Sequence, residues 1–114
     1  MIINLMETIK TVQGDVVYKT DPLTQKEDLT TPLTTGWALV EALSFQCEDE
    51  RKTISSNEIM RRDKLAREVY ISEDIDLTNE DIIVVTKNLK ERFLGASTIQ
   101  AHLLNALEKK EDDK

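Results

Sequence analysis

The densest set of side chains that could bind a metal ion is an acidic run in the second half of the chain. Five carboxylates lie within nine residues: Glu73, Asp74, Asp76, Glu80 and Asp81. Carboxylate oxygens are ligands that Ca²⁺ prefers, but an EF-hand loop also needs glycine at position six and glutamate at position twelve. A loop that starts at Asp74 places Asn79 and Val85 there. The run therefore predicts no metal site.

Two other roles remain for these acids. Glu80 and Asp81 precede an apolar stripe typical of a helix, and the macrodipole favours negative charge in the first helical turn. Glu73, Asp74 and Asp76 lie before that turn, where they could form a docking patch for a basic protein. We keep these three residues as candidate partner-binding residues.

The residue types that carry out covalent chemistry are sparse and isolated. Cys47 is the only cysteine, and the acids at 48–50 discourage formation of its thiolate. His102 is the only histidine, and no serine or cysteine has a recognisable nucleophile context. The three glycines are too far apart for a phosphate-binding loop. We predict a non-enzymatic protein without catalytic, cofactor-binding or metal-binding residues and without a cofactor.

A basic cluster is the only feature that suggests nucleic acid. It comprises Arg61, Arg62, Lys64 and Arg67. The spacings Glu58–Arg62, Asp63–Arg67 and Lys64–Glu68 each allow an i,i+4 ion pair on one helix. The chain also carries a net charge of −7, which opposes binding to phosphate backbones. We therefore predict no direct contact with nucleic acid.

The elements that position these residues are mainly helical. A nearly all-apolar segment begins at Thr35 and predicts a central helix. Three hydroxyl residues, each followed three positions later by Glu, Asp or Gln, predict capping boxes and helix starts at Ser55, Thr78 and Ser97. With 114 residues the chain is one domain. We predict a mainly α fold, with a bundle of about four helices over residues 35–110.

The N-terminal part has a different pattern. Residues 1–19 are rich in β-branched side chains around Gly14, which predicts a two-stranded β-ribbon with a tight turn. Residues 20–34 contain both prolines and predict an irregular linker, and residues 111–114 predict a disordered tail.

Four apolar residues are candidates for contact with a partner. Ile3, Leu5 and Ile9 form an apolar row on the ribbon, whose open edges could recruit another strand. The row could equally pack on the chain's own helices. Trp37, at the head of the central helix, is typical of a core residue or of an interface anchor.

The chain offers no membrane or export signal. It lacks an apolar stretch of the ~20 residues that a membrane span needs, and its N-terminus has no early basic region. We expect a soluble protein in the cytoplasm, without membrane contact.

Two segments, "TPLTTGWALVEAL" and "EDERKTISSNEIMRRDKLAREVYISEDIDLTNEDIIVVTKNL", carry a resemblance. Their "PLTxG" helix start, acidic "DE", S-x-x-E helix start and "LTxEDI" helix start resemble a group of small proteins encoded by tailed phages and prophages. The resemblance covers about residues 31–94. It implies a phage or prophage origin and implies no catalytic residue.

These features together favour a protein that acts by binding other proteins. We expect an accessory or assembly factor of the phage head or tail, which binds a phage structural protein or a host protein in the host cytoplasm or on the virion. A homo-oligomer is compatible with this expectation. The alternative is an acidic mimic of nucleic acid that inhibits a host or defence protein.

Calcium is expected to leave the stability of the protein unchanged, because the loop around Asp74 lacks the glycine and the terminal glutamate of a calcium site. A ligand at ~100 times its dissociation constant would add about 2.7 kcal/mol to the free energy of unfolding. Thermal unfolding with millimolar Ca²⁺, and with Mg²⁺ as the control, measures this. A rise in Tm with Ca²⁺ alone would contradict the prediction.

Overall fold

The computed structural model describes residues 1–20, 23–24 and 26–108. Four α-helices lie within them: α1 Thr35–Ser44, α2 Ser56–Ile71, α3 Asn79–Arg92 and α4 Ser97–Glu108. Four short strands accompany them: β1 Ile2–Asn4, β2 Tyr18–Thr20, β3 Glu27–Pro32 and β4 Asp74–Asp76. The prediction of a mainly α fold with an N-terminal β-pair is confirmed. The predicted tail at 111–114 lies outside the described residues.

Side-chain caps begin three of the helices. Thr34 Oγ1 accepts from Trp37 N at 3.1 Å before α1, and Ser55 Oγ accepts from Glu58 N at 3.1 Å before α2. Thr78 and Asp81 form a complete capping box at α3, in which each side chain accepts from the backbone N–H of the other. Each such cap stabilises its helix by roughly 1 kcal/mol.

The other two predicted capping boxes differ from expectation. The Glu58 carboxylate accepts from Arg61 and Arg62, so Ser55 caps α2 without the reciprocal bond. Ser97 is the first residue of α4, and the Gln100 side chain donates to Phe93 O at 2.6 Å. The helix starts were predicted correctly, but neither of these two positions forms a complete capping box.

The strands pair differently from the predicted ribbon. β1 pairs antiparallel with β4, with Ile3 opposite Ile75, and therefore does not pair with residues 16–19. Gly14 does make a tight turn at a φ of 93°, where Thr11 N donates to Asp15 O at 2.8 Å. β2 pairs with β3, which lies inside the segment 20–34. The prediction of an irregular linker was wrong for that strand.

The core lies around α1, which contacts each of the three other helices. Ala38, Leu39 and Ala42 are fully buried along it. At its start, a Cβ on Gly36 would lie 3.1 Å from Leu5 O, and the Gly36 N–H donates to that oxygen at 3.0 Å. Glycine thus allows the N-terminal segment to lie directly against α1. None of the described helices has the length and hydrophobicity that crossing a bilayer requires.

Burial decides between the two roles left open for the N-terminal row. Ile3, Leu5 and Ile9 are 3%, 2% and 0% exposed, and all three belong to the same core cluster as Leu39 and Leu89. The row packs on the chain's own core, since β1 is paired with β4 and Leu5 lies directly against Gly36 at the start of α1. These side chains are therefore not available as a contact surface for a partner.

Ile3→Ala should lower the free energy of unfolding by about 2–4 kcal/mol, because it leaves a cavity in the core. Ile2 precedes it on the same strand and is 73% exposed, so Ile2→Ala is a matched control with an effect within about 0.5 kcal/mol. Urea denaturation of both variants measures the difference. Equal losses would show that β1 is not part of the core.

Candidate functional site

A long concave feature of the described chain lies between α1 and α2. The start of α1 lies beside the end of α2, and two adjoining cavities of about 390 Å³ and 640 Å³ follow the contact between the helices. Both cavities are lined by Val40 and Tyr70. We call this feature the α1–α2 groove and define it by its apolar lining residues: Met6, Trp37, Val40, Tyr70 and Ile71.

Large apolar side chains are exposed along this groove. Tyr70, Ile71 and Met6 are 74%, 85% and 61% exposed. Single exposed apolar residues are common, but adjacent ones beside a cavity mark interaction sites. The groove is therefore the surface of the described chain best suited to contact another molecule.

The groove was not predicted, although the sequence carries a signal for it at the end of α2. Val69, Tyr70 and Ile71 are consecutive, and three consecutive residues on a helix cannot all face one core. Val69 is buried at 2% exposure, which turns the other two towards solvent.

The charges around the groove are balanced. Three basic and three acidic residues line its cavities: Lys19, Lys64, Arg67, Glu41, Asp63 and Glu68. Asp63 pairs with Arg67 at 2.7 Å, and Glu41 pairs with Arg92. The predicted Lys64–Glu68 pair was wrong, since neither side chain has an ion pair among the described residues. The groove thus has no net charge on a chain of −7.

Trp37 belongs to both the core and the groove. It is half-buried, and its ring lies 5.7 Å from that of Phe93, centroid to centroid, in a tilted arrangement. It also lines the smaller cavity. Of the predicted contact residues, Leu5 lines the same cavity as Trp37. Ile3 and Ile9 lie elsewhere in the core.

The structure separates the acidic run into two parts. Glu73, Asp74 and Asp76 are exposed on and just before β4, and Asp76 Oδ1 lies 2.7 Å from the amino nitrogen of Met1. Asp81 is instead buried at the start of α3, where Arg61 donates to it at 2.6 Å. Charges on an edge strand discourage pairing with another sheet. Across residues 1–20, 23–24 and 26–108, no cluster could hold a metal ion.

The three arginines of the basic cluster on α2 form ion pairs within the chain. Arg61 bridges Glu58 at 2.8 Å and Asp81 at 2.6 Å, and the buried Arg62 pairs with Glu50 and Glu58, both at 2.8 Å. Hydrogen bonds from Arg61 lower the pKa of Glu58 to about 2, and those from Arg62 lower the pKa of Glu50. These five side chains join the loop after α1 to α2 and α3.

Cys47 is held as a thiol. Its Sγ donates to Asn88 Oδ1 at 3.2 Å, and burial raises its pKa to about 11, with Glu91 adding to the rise. A thiol with that pKa is protonated at neutral pH and is a poor nucleophile.

His102 has a partner that the sequence did not indicate. Its Nε2 lies 2.6 Å from Thr35 Oγ1, and the Thr35 hydroxyl is also 3.4 Å from Glu7 O. A hydroxyl beside an imidazole is the arrangement of an activated nucleophile. Thr35, however, is 0% exposed, so no substrate reaches it. The contact joins α4 to the start of α1 and to the N-terminal segment.

Acid should remove part of the stability of this protein. The pKa of Glu58 falls from 4.5 to about 2 on folding, so its contribution is present above pH 4.5 and is lost as the pH falls towards 2. Glu58→Gln should lower the free energy of unfolding by about 1–3 kcal/mol at pH 7, and the loss should shrink as the pH falls.

Urea denaturation at about pH 7, 5 and 3 measures this dependence. Glu73→Gln, at an exposed position, is the control and should change little. A loss of stability in Glu58→Gln that is the same at every pH would contradict the assignment.

Comparison with known proteins identifies no relative. No protein-family model, curated protein or solved structure matches the chain. Its function is therefore inferred from the groove, its exposed side chains and its charges.

Proposed function

We propose that this chain is a non-enzymatic phage or prophage protein that acts by binding another protein, as an accessory or assembly factor of the phage head or tail. The α1–α2 groove carries the proposal. Three large apolar side chains stay exposed there beside unfilled cavities, an arrangement that costs free energy unless another surface covers it.

The dimensions of the groove favour a protein over a small ligand. It follows α1 from Thr34 to Ser44, a length of about 15 Å at 1.5 Å per residue. Small-molecule sites enclose most of the ligand and offer a few convergent polar groups. This groove is instead open and apolar, with an exposed tyrosine, a residue enriched in protein interfaces.

The environments of the cysteine and of the histidine–threonine pair support a role in protein binding rather than in catalysis. The Cys47 thiol is protonated at neutral pH, and the Thr35 hydroxyl beside His102 is buried. The groove itself presents no nucleophile beside a base.

The acidic-mimic alternative is less well supported. A mimic of nucleic acid needs rows of free acids at phosphate-like spacing. Glu50, Glu58, Asp63 and Asp81 instead form ion pairs with arginines of α2. The exposed acids that remain near β4 are a short patch of three: Glu73, Asp74 and Asp76.

The resemblance to small phage and prophage proteins suggests where the partner is found. A phage structural protein or a host protein would meet this chain in the host cytoplasm or on the virion.

Tyr70→Asp should abolish capture of the partner while leaving the fold intact, because it places a charge on the exposed apolar surface of the groove. The measurement uses the purified protein as bait in extracts of phage-infected or prophage-bearing cells, with mass spectrometry of the bound proteins. Ile83→Asp is the matched control, because Ile83 is 69% exposed on α3 and lies outside the groove.

A second variant tests the acidic patch. Reversal of Glu73, Asp74 and Asp76 to lysine should leave capture unchanged. If this reversal loses the partner while Tyr70→Asp still captures it, the groove is not the binding site. That result would favour the acidic-mimic alternative. Capture of the same proteins by all variants would overturn both.

A further inference from the structure

We draw no further inference here: the strongest candidate, the exposed apolar lining of the α1–α2 groove at Tyr70 and Ile71, belongs to the site already described, and nothing in the structure shows what covers it.

Discussion

The side-chain amide of Asn88 holds the last turn of α1, and the rest of the fold is arranged around that helix. Asn88 is fully buried on α3, where its Nδ2 donates to Ala42 O and Phe45 O, both at 3.0 Å, and its Oδ1 accepts from Cys47. The last carbonyls of a helix have no partner within the helix, and a buried polar group without a partner costs roughly 1–3 kcal/mol. The Asn88 amide thus supplies hydrogen-bond donors to backbone carbonyls at the end of α1 and fixes the position of α1 against α3.

The position of α1 determines both the core and the groove. Leu39 and Ala42 face inwards, while Val40 and Trp37 remain partly exposed towards α2. The N-terminal segment packs on the start of α1, where Gly36 allows close contact with Leu5. Because Ile3, Leu5 and Ile9 are buried, they form no exposed apolar row, whereas large apolar side chains are exposed at the end of α2.

Ion pairs with arginine hold several acids of this chain in place. Arg61 and Arg62 gather Glu50, Glu58 and Asp81 into one network that joins three parts of the chain. This network uses two of the four basic residues that suggested nucleic acid and one acid, Asp81, of the run that suggested a metal. Lys64 and Glu68 stay outside it, which leaves the groove with charges that another chain can pair.

The sequence by itself determined the helices. Hydroxyl caps at Ser55 and Thr78 and apolar periodicity act within a few residues, so their effect is readable locally. Only the tertiary structure decided which apolar residues are buried. The pairing of Ile3 with Ile75, the bond between Asn88 and Ala42, and the contact of His102 with Thr35 each join residues more than forty positions apart. Packing against these distant neighbours buried Leu5 and Ile9 and left Tyr70 exposed, because one helix face can meet only one core.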